Sequence, residues 1–403
     1  MKRRHLFTFA LVLPALAGCP DNSSTSDTDA ATEATGDNTA GTEPTTGTPE
    51  NCDGIMVSPI DESACMPEAS DYMPRSNNSA DDSWPACVSD MGPYTLVAGT
   101  PGAQARIVAY ENIADLLWRK SSPTPEDFTA ARDEYVIAEG LESRVSRRED
   151  LHVDPIPMSD WDPQVDSDKQ CTVASNVTKY PERCVGPAAI QPILDEAFAA
   201  GQAGEGDPDI HAARIHGALD WFLYLSIYKE ANTCATETAE DCDATWAYYT
   251  GGQSIDAGIG LSAEVKAQSP GTHERIHDGI MAVRCWRELT KDVDTYPLLD
   301  ALTPEQVDLF EQGWEQLDQA LHRGLAVVVR GNMKAYIDAA CAGEARAAIW
   351  ADIIASAPGL QGEAARRDSA NAKVLSDLWA MDAPTAADVA AGVVALDAIF
   401  PCP

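Results

Sequence analysis

Two short patterns in this chain of 403 residues place metal-ligating side chains at helical spacing. The first is His273-Glu274-Arg275-Ile276-His277. On a helix, histidines four residues apart share a face and can hold one zinc ion, and the glutamate beside the first can activate water as a general base. The context departs from that pattern. Ser269-Pro270-Gly271-Thr272 come immediately before, so His273 falls in the first turn, and Arg275 puts a charge after the glutamate. A later glutamate, Glu288, can serve as third ligand, but nothing singles it out. The plainer reading is a helix start capped by Thr272, with Glu274 near the positive end of the helix dipole.

The second pattern is Glu311, Glu315, Asp318 and His322, spaced four, three and four apart. All four lie along one helix face, displaced from the apolar stripe of Val307, Trp314 and Leu321. Iron and manganese take carboxylate oxygens and imidazole nitrogens. Helical bundles build iron sites from such side chains, although the best-known ones use a Glu-x-x-His spacing that is absent here. We expect a metal at these four residues, with iron favoured and His273 and His277 as alternative ligands. Zinc hydrolysis with Glu274 as base is the alternative activity. A helical lipoprotein that binds a protein or glycan, with no metal, is the third reading. The four residues also fit an ordinary solvated face, given a net charge of -36.

Other features are weaker. His211 and His216 flank the start of a strongly hydrophobic helix, and Asp220 lies one turn after His216; a His–Asp hydrogen bond inside a core accounts for them. Asp160, Asp162, Asp166 and Asp168 alternate in an acidic loop that lacks the glycine and distal glutamate of an EF-hand. The chain has no nucleophile elbow, phosphate-binding glycine loop or nucleotide fingerprint. Its charge argues against binding nucleic acid, which needs a basic footprint.

The elements that must position these residues are helical. Ile107, Tyr110, Ala114 and Leu117 recur at spacings of three and four. Thr124 and Pro125 open the next helix, and Phe128, Ala131 and Tyr135 continue its stripe. Ile215, Leu219, Phe222, Leu223 and Ile227, with Trp221, Tyr224 and Tyr228, make a helix apolar nearly all round, the expected central helix of the core. Thr303, Pro304 and Gln306 form a capping box at the start of the helix that carries Asp318. Breaks fall at Pro358-Gly359 and Pro384. No run alternates apolar and polar residues as a strand would. The spacing therefore predicts an all-α array of roughly eight to ten helices over residues 101–403, in one or two bundles.

The beginning of the chain reads as an export signal. Lys2, Arg3 and Arg4 precede an apolar run from Leu6 to Leu16 that is too short to span a bilayer stably. Leu16-Ala17-Gly18-Cys19 looks like a bacterial lipobox, which implies cleavage after residue 18 and a lipid on Cys19. Pro20 stands where inner-membrane retention favours aspartate, so the outer membrane is the expected location, with the membrane engaged through lipidated Cys19. Residues 19–50 hold no aromatic or large aliphatic residue, cannot offset their ordering entropy, and read as a tether. Residues 51–100 carry Cys52, Cys65 and Cys87 without periodicity and read as an irregular, disulfide-pinned lead-in. Of 11 cysteines, ten remain for five bridges, the usual reading in an exported protein. Local bridges are expected at Cys171–Cys184, across the loop over residues 153–186, and at Cys234–Cys242. Residues 142–150 are densely charged and read as solvated.

The phrase Trp246-Ala247-Tyr248-Tyr249-Thr250-Gly251 resembles the Trp-Ala-Phe-Tyr-Thr-Gly phrase of the algal iron-assimilating proteins, which are secreted or periplasmic. The resemblance is sharp over about ten residues and loose over the helical part. It implies iron binding or acquisition, for which Glu-x-x-x-Glu motifs are invoked; Glu311 and Glu315 have that spacing. Gly271-Thr272-His273 is also similar to the start of the Gly-x-His-x-x-Glu motif of imelysin-type lipoproteins, with Ile276 in place of its glutamate. Apart from either resemblance, Trp246 to Gly251 reads as an aromatic cluster on the core and a helix end at Thr250-Gly251-Gly252.

Overall fold

The computed structural model describes residues 54–64, 67–74, 84–99, 102–137, 140–293, 301–339 and 343–402. The expected signal over residues 1–18, the tether over 19–50, Cys19, Cys52 and Cys65 lie outside these. The described residues form fourteen α-helices and no strand, which makes the fold all-α. In chain order these are α1 (Ala103–Leu116), α2 (Pro125–Val136), α3 (Leu141–Val145), α4 (Ala174–Lys179), α5 (Gln191–Ala203), α6 (Pro208–Thr236) and α7 (Glu240–Thr250). They are followed by α8 (Leu261–Gln268), α9 (Pro270–Leu289), α10 (Pro304–Asp338), α11 (Gly343–Ser356), α12 (Pro358–Arg367), α13 (Ser369–Trp379) and α14 (Ala386–Ile399). The helices exceed the expected number in part because the short α3 and α4 fall in stretches read as loop.

Capping sets the starts. Thr124 accepts from the Asp127 backbone N–H, and Thr303 accepts from that of Gln306, each completing a capping box before an N1 proline. The cap of α9 is Ser269 rather than Thr272; its hydroxyl accepts from the Thr272 N–H. The end of α7 falls at Thr250, and Gly251 adopts the left-handed conformation, φ 68°. A side chain there would also collide with Ile259, 2.3 Å from the position of a Cβ.

Helix α6 is the centre of the core. Ile215, Leu219, Phe222, Leu223 and Ile227 are fully buried, and α5, α7, α9, α10 and α11 pack around it. Each such side chain contributes about 1.5–3 kcal/mol by leaving water. Its closest neighbour is α11. A Cβ on Gly217 would stand 2.3 Å from the Asp352 carbonyl oxygen, so only glycine lets the α11 backbone come this near. Among the described residues no helix is long and apolar enough to cross a membrane.

The irregular lead-in is built into this core, and the two belong to one compact unit, Glu50–Pro403. Tyr72 is fully buried and exchanges backbone hydrogen bonds of 3.0 Å with the Gln316 amide on α10. Asp71 pairs with buried Arg275 of α9 at 2.9 Å. The Asp243 carboxylate of α7 gathers the N–H groups of Val97 and Ala98. Cys87 is disulfide-bonded to Cys285 of α9, 198 residues away, so one of the three cysteines of the lead-in pairs at long range. Cys171–Cys184 and Cys234–Cys242 are bonded as well.

Residues 142–150 are a correction to the expected solvated segment. Arg148 is buried, with its guanidinium 5.4 Å from the Phe222 ring centre, and Glu149 pairs with Arg183 at 2.7 Å. The charges of this segment pair with residues on other elements, Glu142 with Arg132, Arg147 with Asp168 and Glu149 with Arg183, so their density does not signal exposure.

Candidate metal centres

Among the described residues, two groups of side chains converge closely enough to hold a cation. The first joins α10 to the loop after α3. Asp318 and His322 stand one turn apart on α10, and His152 meets them, with one ligand atom of each within 4.8 Å of the others. His322 is buried, and its Nδ1 donates to the Asp318 backbone carbonyl at 2.9 Å. That bond sets the tautomer and leaves the lone pair on Nε2, which lies 4.0 Å from Glu363 of α12. His152 is oriented in the same way. Its Nδ1 donates to Asp150 at 2.7 Å, and its Nε2 lies 3.7 Å from Asp318 Oδ1 and 3.4 Å from the Tyr224 hydroxyl. Asp318 Oδ1 is buried and makes no hydrogen bond.

Loop and helix are tied together around this centre. Arg183 donates to the backbone carbonyls of Asp150 at 3.1 Å and Val153 at 2.5 Å, and so brackets His152. Arg366 of α12 donates to the His152 carbonyl at 3.0 Å and also holds Glu363. Aromatic rings form the walls: Tyr228 lies 3.8 Å from the His152 ring centre, and Phe400 is stacked on His322. Burial disfavours a charge on His152, but Asp150 and Asp318 more than offset it and raise its pKa to about 9. His152 therefore carries a proton at neutral pH. Burial, reinforced by the His152 charge, holds His322 below the usual histidine value. Arg367, His322 and Arg366 together overcome the effect of burial on Glu363 and lower it to about 2.

The second group gathers around His216 of α6. His216 Nδ1 donates to Asp352 of α11 at 2.5 Å. Its Nε2 faces Glu264 of α8 at 2.9 Å and Asp220, one turn along α6, at 3.4 Å. The Tyr110 hydroxyl of α1 lies 2.8 Å from both Asp220 and Glu264. The close α6–α11 crossing at Gly217 puts Asp352 beside His216. Burial disfavours the charged imidazole, yet the surrounding carboxylates raise His216 well above its usual pKa. Burial, then the Glu264 charge, raises Asp220 well above the usual carboxyl range. Burial acts the same way on Glu264, but His216 outweighs it and lowers Glu264 to about 2.

Of the four ligands expected on α10, the structure brings Asp318 and His322 together and leaves Glu311 and Glu315 in solvent. The correction is geometric. A helix rises about 1.5 Å per residue, so Glu311 sits about 10 Å along the axis from Asp318 even though it shares the face. Glu315 accepts a hydrogen bond from Gln319 instead. The His-Glu-x-x-His segment is also not arranged as a zinc site. Both ring nitrogens of His273 are engaged, Nδ1 with the Tyr249 hydroxyl at 2.9 Å and Nε2 with the Ile255 carbonyl at 3.0 Å. Burial lowers His273 to about 4. His277 is buried but faces a separate cleft beside Tyr94 and Trp246, and Glu274 is exposed. The alternating aspartates are spoken for separately: Asp160 by Lys179 and Tyr180, Asp166 by Lys169, Asp168 by Arg147.

His152, Glu264 and Asp352 were missed by sequence reasoning. They sit on other elements, up to 170 residues from their partners, and no local spacing points to them. The one usable signal was the His216–Asp220 step, which reads equally well as core. Comparison with protein-family models, curated proteins and solved structures returns no match in any of the three.

Proposed function

We propose that this protein is a metal-binding lipoprotein of the bacterial cell envelope, anchored through Cys19 and holding one ion, with iron favoured, between His152, Asp318 and His322. The observation that carries this reading is Asp318 Oδ1, a buried carboxylate oxygen without a hydrogen bond. It faces two imidazoles whose Nδ1 atoms are already engaged. An unmet buried acceptor costs about 1–3 kcal/mol, more when charged. A cation here takes the place of the His152 proton and gives that oxygen and both imidazoles a common partner. The engaged Nδ1 atoms follow the pattern of metal-bound histidines, whose second nitrogen is fixed by a carboxylate or carbonyl.

Two imidazoles and a carboxylate suit iron, with zinc as the alternative. The Trp246–Gly251 phrase favours iron, and a role in uptake or storage rests on that resemblance. The lipobox supports an anchor in the outer membrane, facing the periplasm or the surface.

The test is elemental analysis of the full chain, exported under oxidising conditions and purified in detergent without chelator or metal-affinity resin. It is exposed to iron, zinc, manganese and calcium and then desalted. We expect near-stoichiometric iron that Asp318→Asn loses. Iron retained equally by Asp318→Asn would place the ion elsewhere, and zinc in its place would make the centre a zinc site.

A further inference from the structure

The cluster around His216 is not used by the reading above. Three carboxylates, Asp220, Glu264 and Asp352, surround one imidazole. Among the described residues no lysine or arginine forms an ion pair with any of the three. Burial pushes Asp220 toward its neutral form, and one imidazolium then offsets only one of the two other carboxylate charges. Although Asn332 donates to Asp352 at 3.2 Å, the net charge left is unfavourable to bury. Asp220 is completely buried, and its Oδ2 makes no hydrogen bond while facing His216 Nε2. The Tyr110 hydroxyl lies 2.8 Å from both Asp220 and Glu264 and can donate its one proton to only one of them. Asp352 fixes His216 through Nδ1, the role Asp150 plays for His152. A cleft of about 330 Å³, lined in part by Trp118, Asp209, Asn332 and Asp352, reaches the outer side of that pair.

We propose that His216 Nε2, Asp220 Oδ2 and Glu264 form a second cation site, independent of the first, for a hard ion such as manganese(II). Two carboxylates and one imidazole, with a phenol oxygen nearby, are the oxygen-rich donors such ions take. The structure thereby assigns one chain two sites of different character, one richer in imidazole and one richer in carboxylate. The second site does not depend on the first holding metal.

The test is titration of the full chain in detergent with manganese(II) alone, with free ion read by its electron paramagnetic resonance. Glu264→Gln is expected to bind one equivalent fewer than the wild-type chain, while Asp318→Asn keeps that equivalent. Asp220→Asn should behave as Glu264→Gln does. Should Asp220→Asn fail to fold, the partly exposed Glu264→Gln still decides. An unchanged number of equivalents in Glu264→Gln overturns the proposal. So does a wild-type chain that binds no manganese, or an equivalent lost only in Asp318→Asn.

Discussion

Helices α9 and α10 each present two metal-ligating side chains four residues apart. His277 Nδ1 on α9 and Asp318 Oδ1 on α10 are both buried without a hydrogen bond, but their neighbours His273 and His322 are treated in opposite ways. On α9, His273 has both nitrogens bonded by the protein, to Tyr249 and to the Ile255 carbonyl. On α10, His322 has Nδ1 bonded within its own helix, and beside it Asp318 Oδ1 has no hydrogen bond. The spacing places side chains on a face; it does not say what meets that face. A loop carbonyl closes His273. A loop imidazole, His152, joins Asp318 and His322 within 4.8 Å. The difference between a histidine closed by the protein and one that faces other donor atoms is therefore made by chain segments far away in sequence.

The largest expected effect separates the two helices directly. His322→Gln should weaken iron binding by more than the roughly 10–100-fold that loss of an outer-shell partner costs. His273→Gln should leave iron binding unchanged. Equilibrium iron titration of both variants would erase the comparison if the two lost affinity alike. Next is Asp150→Asn. Its carboxylate holds His152 Nδ1, so the variant should lower iron affinity about 10–100-fold without removing a ligand. An unchanged affinity would mean that His152 is placed by the Arg183 bracket alone.

The pH dependence of stability sharpens the comparison from the α9 side. Burial lowers His273 to about 4, below its unfolded value of about 6.5. Between those values the unfolded chain binds more protons than the folded one, so stability falls as pH falls. The contribution is fully present above about 6.5 and lost as pH drops toward 4. Urea midpoints across that window should decline less steeply in His273→Gln than in the wild-type chain. Parallel declines would show that His273 takes up its proton without opposing the fold.

Much of the fold was legible because its signals are local. Thr124, Thr303 and Gly251 mark helix ends by chemistry that acts within four residues, and the apolar circumference of α6 follows from its own sequence. The bridges Cys171–Cys184 and Cys234–Cys242 span only 13 and 8 residues. The proximity of Asp318 and His322 was legible for the same reason, since they are one turn apart on α10. The rest depends on crossings. Asp352 reaches His216 because Gly217 admits the α11 backbone, and His152 reaches Asp318 because Arg183 and Arg366 hold its loop. Charge density misled at residues 142–150, where Arg148 is buried against Phe222. Composition measures polarity, and polar groups are buried readily when their partners are buried with them.

The smallest expected effect lies within α10 itself. Glu311 and Glu315 share a face with Asp318 but stay in solvent, and Glu315 bonds only Gln319. Glu311→Gln and Glu315→Gln, singly or together, should leave iron stoichiometry and affinity unchanged. Their effect on stability should stay within about 0.5 kcal/mol, as for surface changes that break no buried contact. The double variant matters because the Glu-x-x-x-Glu spacing is the feature that ties α10 to the iron-assimilating resemblance. If iron binding follows these two residues, the spacing itself carries the chemistry and the ion is held at the surface. If it follows Asp318 and His322 instead, the burial that sets in one turn further along the same face is what makes a ligand.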